Sequence, residues 1–325
     1  VPTQSIAVTA HKQAELIDLD TPAQPLAPDH IRGRTLVSLT SPGTELNYAF
    51  LSKDRFPLHP GYACVFEVEE VGEQVSLLKP GDRVMGMGGH RSQQEMPAAR
   101  AQPVPAGLAP EKAVFARLMG VSMSTLNTTS VTPPAHVLVT GLGPVGNLAA
   151  QLFARCGYAV TAVDPSPARR ETATVCGLKD VRATAGEDLQ DKIGLHAECS
   201  GHEQAALDGC KLVRKLGEVV LIGVPWARKT ERYAFELLEA VFHRYVVLRS
   251  GWEWQVPVEE EKFGHHCIGA NYAAALDWLA SGSIEVSPLA TLYSPKDCQR
   301  VYLGLLEQTL ATPAALFDWR GLDGA

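Results

Sequence analysis

No apolar run in this chain reaches the roughly 18–20 residues that a bilayer span requires. A basic cluster is missing too: the densest spots, Arg169-Arg170 and Arg228-Lys229, are short, and the net charge is −7. Phosphate backbones and anionic lipid surfaces are bound by grouped Lys and Arg, so neither nucleic acid nor membrane is an expected partner. The seven cysteines are odd in number, widely spread and without a Cys-x-x-Cys pair. That fits free thiols in a reducing compartment better than a disulfide framework. The start, Val1–Val8, has no basic region followed by a long apolar stretch. It reads as a short strand, and the cytoplasm is the expected location. There is no internal repeat and no low-complexity segment.

What is present is a globular balance. At 325 residues and 46% hydrophobic content, the chain can bury a sizeable core, and its length suggests two domains. The first third reads as β-rich. Short apolar segments at Ile31–Leu39 and Val65–Val71 are punctuated by Pro42-Gly43, Pro60-Gly61 and Pro80-Gly81. Helical spacing appears in Glu111–Leu126, and from Ala135 strands and helices alternate. The strands are His136–Thr140, Ala159–Val163, His196–Cys199, Glu218–Gly223 and Tyr245–Arg249. The helices are Val145–Arg155, Pro167–Val175, Glu203–Arg214 and Phe235–His243, the first two stopped by Gly157 and Gly177. Such alternation predicts a parallel sheet with helices on both faces. Beyond Lys262 the pattern is mixed, with helices at Tyr272–Ala280 and Pro295–Leu306 separated by a Gly282 stop and a strand.

Gly141-Leu-Gly143-Pro144-Val145-Gly146 follows one expected strand and opens the next expected helix. In that context Gly-x-Gly-x-x-Gly is a dinucleotide-binding signal: a tight turn, a close backbone approach to pyrophosphate, and close helix–strand packing. The helix N-terminus then offers N–H groups and a positive dipole end to the phosphates. Asp164 ends the second strand about 20 residues further on, where a carboxylate grips the ribose hydroxyls of NAD. A helix N-cap is its other reading, since Asp-Pro-Ser-Pro opens the following helix. Arg169 and Arg170 could pair with a 2′-phosphate, so NADP stays open beside NAD.

Over essentially its whole length the chain resembles the medium-chain dehydrogenase/reductase family. The resemblance is carried by Pro60-Gly61-Tyr62 leading into Phe66–Gly72, by Lys79–Val84, Gly141–Gly146, Glu198–Gly201 and Gly217–Gly223, in that order and spacing. It implies an α/β protein: an N-terminal β-rich, GroES-like catalytic domain over 1–117 and 261–325, and a doubly wound, parallel-sheet Rossmann domain over 118–260. It also implies that Ser200, Gly223 and Val224 lie along the nicotinamide, an active site in the interdomain cleft, and a homodimer pairing the Tyr245–Arg249 strands.

Zinc-dependent members of the family carry a Cys, a His and a third ligand where this chain has Pro42, Tyr62 and approximately Leu118. Catalytic zinc needs three N, S or O ligands and an open position, so no metal is expected here. The structural four-cysteine lobe is absent as well. Thr44 matches the hydroxyl that passes the substrate proton in zinc-dependent relatives, and Asn47 stands where they carry a relay His. Tyr62, at a vacated ligand position, is a second candidate acid; turn and packing roles are the plain alternatives for Thr44 and Tyr62. His90 could be a base, but its Gly-rich setting reads as an exposed loop. His265-His266-Cys267 reads as loop, and Trp226, Trp252 and Trp254 as core or interface. The expected function is zinc-independent hydride transfer between NAD(H) and a small alcohol or ketone. The alternatives are an NADPH-dependent quinone or enone reductase and a non-catalytic nucleotide-binding protein.

Overall fold

The computed structural model describes residues 3–19, 24–262, 264 and 266–322. In chain order the first elements are β1 (Thr3–Ala10), β2 (Gln13–Leu19), β3 (His30–Leu39) and a helical turn α1 (Pro42–Glu45). Next come β4 (Ala63–Val71), β5 (Arg83–Gly86), β6 (Gln93–Pro97), β7 (Gln102–Pro103) and α2 (Pro110–Ala113). The middle of the chain begins with α3 (Ala116–Thr128), β8 (His136–Thr140), α4 (Pro144–Arg155), β9 (Ala159–Val163), α5 (Pro167–Val175) and β10 (Val181–Arg182). It continues through β11 (Ile193–Glu198), α6 (Glu203–Leu212), β12 (Val213–Leu221), α7 (Ala234–Arg244) and β13 (Val247–Ser250). The last elements are α8 (Ile268–Ala280), β14 (Ala290–Tyr293), α9 (Cys298–Glu307) and β15 (Ala314–Asp318).

Contacts divide the chain into two units. One holds Val1–Arg117, Tyr272–Ser281 and Leu289–Ala325; the other holds Leu118–Asn271 and Gly282–Pro288. Helix α8 begins in the second of these units and ends in the first, and residues 282–288 belong to the second.

The first unit is built on a seven-stranded mixed sheet ordered β14-β15-β3-β4-β5-β7, with β6 also pairing β3, beside the hairpin β1-β2. Ile31, Phe66, Val68, Val84 and Met96 form one buried layer of this unit. A second layer packs Phe50, Val301, Tyr302 and Phe317 together.

The second unit is a six-stranded sheet in the order β10-β9-β8-β11-β12-β13, and its strand pairings are parallel. Chain order reverses between β8 and β11, which makes the ends of those strands the topological switch point where such sheets bind ligands. Val137, Val139, Leu195, Ala197 and Val220 are buried in the sheet against Ala149, Ala150 and Phe153 of α4. Pro144 at the first helical position and Gly157 just past the end (φ +88°) set the bounds of α4.

Several bounds differ from expectation. The Glu111–Leu126 helix is two pieces, α2 and α3. The Glu203–Arg214 helix stops at Leu212 because Val213 turns into the sheet to pair with Ile193. Its strand then runs through Arg214–Leu216, with Leu216 at positive φ, and not from Glu218. Tyr245 caps α7 in the left-handed conformation, so the edge strand starts at Val247.

Candidate functional site

The glycine loop occupies the switch point. Gly141 has φ +83°, and a Cβ there would lie 2.7 Å from the backbone N of Ser200. A Cβ on Gly146 would fall 1.7 Å from the Gly141 carbonyl oxygen, so helix and turn can touch only without one. Gly143, by contrast, faces open space, with no atom within 4 Å of where its Cβ would be. Pro144 and Val145 follow it at the start of α4, both half-buried. A loop closed on two sides and open at its middle glycine fits a pyrophosphate at the helix N-terminus.

Asp164 is 1% exposed, and its carboxylate braces this loop. Oδ2 accepts the Leu142 N–H at 2.7 Å, Oδ1 accepts the Ser166 N–H at 2.8 Å, and Arg169 Nη1 stands 3.5 Å from Oδ2. The N-cap of α5 is Ser166, not Asp164, through its Oγ. Arg170 is turned to the carbonyls of Asp164 and Pro165. Of the two arginines, then, Arg169 is the one beside the carboxylate.

Ser200 and Gly223–Val224 adjoin through Gly201. A Cβ on Gly201 (φ +61°) would lie 2.4 Å from the Val224 carbonyl oxygen. Sequence reasoning passed over the residue that shapes this turn, Glu198. Its Oε1 accepts the N–H and hydroxyl of Ser200, and its Oε2 the N–H of Gly201. Burial pushes this carboxyl above its ordinary range, with the turn's hydrogen bonds opposing the shift.

In the other unit, Thr44 lies half-buried in the α1 turn, and Asn47 donates from Nδ2 to the Gly43 carbonyl at 2.7 Å. The exposed-loop reading of His90 is overturned. His90 is fully buried, and both ring nitrogens are engaged: Nε2 with Glu45 Oε2 at 2.9 Å, Nδ1 with Ser38 Oγ at 2.7 Å. Trp319 Nε1 donates to the same Ser38 oxygen, and Tyr302 donates its hydroxyl to Glu45 Oε2 at 2.6 Å. The directions are consistent throughout: indole N–H to Ser38, Ser38 O–H to Nδ1, Nε2–H to carboxylate, phenol to carboxylate. Burial, with the Glu45 carboxylate second, pushes the Tyr302 phenol well above its ordinary value and keeps it a donor.

This network supports both candidate hydroxyls. Glu45 Oε1 accepts the Ser41 N–H at 2.6 Å and so ties down the turn carrying Thr44. The His90 N–H donates to the Pro60 carbonyl at 3.0 Å, and Gly61 (φ +142°) has room for no Cβ against the backbone of Gly89 and His90. Tyr62 follows directly and is half-buried, with the Arg117 guanidinium 4.1 Å from its ring centroid.

A family of zinc-binding dehydrogenases matches residues 144–253. Over 212 residues the chain is 29% identical to an alcohol dehydrogenase of Geobacillus stearothermophilus, covering 53% of this chain and 63% of that one. The crystal structure of galactitol-1-phosphate dehydrogenase from Escherichia coli superposes with a TM-score of 0.82 at 15% identity, covering 97% and 99%. The chain is thus similar to zinc-type, alcohol dehydrogenase-like members of the medium-chain dehydrogenase/reductase family. Its match to the L-galactonate-5-dehydrogenase of E. coli is 30% identical over 149 residues. Matched stretches span 43% of that relative and 63% of the Geobacillus one, less than two thirds of either.

The resemblance puts the zinc-ligand positions at Pro42, Tyr62 and approximately Leu118. Pro42 offers no donor, Tyr62 carries a cation on its ring, and Leu118 is buried hydrocarbon. The side chain that reaches the Tyr62 ring is that of the neighbouring Arg117. Among the described residues no group of three or more His, Cys, Asp or Glu could hold a metal ion, and no helix is long and apolar enough to cross a membrane. His265 lies outside the described residues. Trp226, Trp252 and Trp254 are not core residues; all three are exposed.

Proposed function

We propose that this chain is an NAD(P)-dependent dehydrogenase/reductase that interconverts a small secondary alcohol and a ketone without zinc, with NAD as the preferred cofactor. The observation that carries the reading is the Gly141–Gly146 loop at the switch point, open at Gly143 and braced by Asp164. Gly141, Gly143, Pro144, Val145 and Gly146 would hold the pyrophosphate, Asp164 and Arg169 the adenosine ribose, and Ser200, Gly223 and Val224 the nicotinamide end. The cofactor supplies or takes up the hydride. Tyr62 gives a proton to the substrate oxygen in carbonyl reduction and takes it back in alcohol oxidation, and Thr44 orients that oxygen.

Zinc independence is supported by the donor set itself, since Pro42, Tyr62 and Leu118 do not make the three N, S or O ligands a catalytic zinc needs. Metal analysis finding about one tightly held zinc per chain would contradict it. A homodimer through β13 is supported by its place at the edge of the parallel sheet and by exposed Val247, Tyr245, Phe242 and Leu238 beside it. Light scattering at micromolar concentration should report twice the chain mass.

The test of the activity is absorbance of NADH and NADPH with a panel of secondary alcohols, ketones, quinones and enones. Ketone- or alcohol-dependent change with NADH supports the reading. Turnover confined to quinones or enones with NADPH selects the reductase alternative, and cofactor binding without turnover selects a non-catalytic nucleotide-binding protein.

A further inference from the structure

Arg117 is a buried cation in the unit that carries both candidate hydroxyls, and no step of the proposed chemistry involves it. Its residue is 2% exposed, and its guanidinium lies 4.1 Å from the ring centroid of Tyr62 and 5.7 Å from that of Tyr272. A guanidinium that has given up its water is held to an aromatic face more strongly than an exposed one. Tyr62 is fixed along its backbone as well, because Gly61 passes against Gly89 and His90 with no space for a Cβ. The ring is therefore set from two directions: through the chain by the buried Glu45–His90 pair, and on its face by a charge. A fixed positive charge close to a phenol also favours the oxyanion formed when the phenol loses its proton. Lysine could not reproduce this fully, since its compact ammonium lacks the planar surface that stacks on a ring.

We propose that Arg117 is the positioning residue for Tyr62, holding the phenol ring in place and stabilising the negative charge its oxygen takes up during proton transfer. This rests on the reading of Tyr62 as the proton donor. In carbonyl reduction the carbon receives a hydride while the Tyr62 O–H bond breaks and its proton passes to the substrate oxygen; solvent then reprotonates the phenolate. Alcohol oxidation runs the same exchange backwards. The positive charge thus acts through the tyrosine and not by coordinating substrate.

The test is a double-mutant cycle on the ketone of the panel that NADH reduces fastest, with Arg117→Met, Arg117→Lys, Tyr62→Phe and the two combinations. Arg117→Met is expected to lower kcat roughly 10–100-fold with KM changed less than about threefold, as for charge stabilisation made only in the transition state. Arg117→Lys should recover part of that loss. In the Tyr62→Phe background neither substitution should lower kcat further. NADH titration of each variant reports whether the chain still folds, and Arg117→Lys keeps the cation if Arg117→Met does not. Equal losses with Tyr62 intact and in the Tyr62→Phe background would overturn the proposal and leave Tyr62 as the donor. Full activity in Tyr62→Phe, or no reduction of any ketone, would overturn the donor reading and this proposal together.

Discussion

Glu45 and His90 face each other through Oε2 and Nε2 at 2.9 Å, in a part of the molecule that water does not reach. Three donors converge on that carboxylate: the His90 ring, the Tyr302 hydroxyl and the Ser41 N–H. His90 is enclosed with both ring nitrogens engaged, and its backbone N–H bonds the Pro60 carbonyl, so it joins the α1 turn to the Pro60–Tyr62 segment.

Removing the carboxylate should therefore be costly. Glu45→Ala leaves three buried donors without an acceptor, each costing about 1–3 kcal/mol. We expect a stability loss of several kcal/mol in urea unfolding, with Glu45→Gln losing less because its amide oxygen still accepts. A loss below about 1 kcal/mol for Glu45→Ala would mean that water or a rearranged partner satisfies these groups.

A second buried imidazole sits in the parallel-sheet unit. His196 bonds Thr140 Oγ1 at 2.8 Å, and a Cβ on Gly209 of α6 would come within 1.8 Å of its Nδ1. Glycine to alanine within a helix ordinarily gains up to about 1 kcal/mol. Here Gly209→Ala should cost about 1–3 kcal/mol through overpacking. Thermal unfolding reads the sign directly, and a raised Tm would show that His196 has room to move.

The same histidine makes stability depend on acid. Burial pushes its pKa down to about 3, against an ordinary 6.5. Above pH 6.5 both folded and unfolded chains hold it uncharged, so its contribution is fully present. As pH falls towards 3 the unfolded chain takes up a proton that the folded one refuses, and stability drops by up to about 1.4 kcal/mol per pH unit. Urea midpoints between about pH 7 and about pH 5 should fall less steeply in His196→Gln than in the unmodified protein. Equal slopes would assign the acid sensitivity to other groups.

Asp164 braces the glycine loop and, in the proposed reading, also receives the adenosine ribose, two roles that point mutation can separate. NADH should bind more tightly than NADPH, and Asp164→Ser should narrow or reverse the preference. Because its carboxylate also holds the Leu142 N–H, Asp164→Ser should weaken both cofactors, and Asp164→Asn should weaken them less. Tighter NADPH binding to the unmodified chain would show that Arg169 governs the pocket.

Much of the parallel half was legible because each element declares itself locally. His136–Thr140 and Ala159–Val163 are short apolar runs, and Pro167–Val175 begins at a Pro and ends before a Gly; all three have the expected bounds. Strand β12 was shortened in the reading because Arg214 and Lys215 look like a helix end. Strand β15 was missed altogether, since its pairing with β3 joins residues far apart in the chain. The same distance hid the buried network. Gly88-Gly89-His90 resembles an exposed loop until Glu45 and Ser38 are brought to it, and Arg117 reads as an ordinary helix residue until Tyr62 lies under it.

The measurement that bears most directly on this account is steady-state kinetics of Tyr62→Phe and Thr44→Val, alongside NADH titration. Tyr62→Phe should lower kcat by about 10²-fold or more, as for a lost acid–base group, with NADH affinity unchanged. Thr44→Val should lower kcat similarly and raise KM. If both variants turn over at the unmodified rate, neither hydroxyl carries the proton, and the chemistry assigned to this site is wrong.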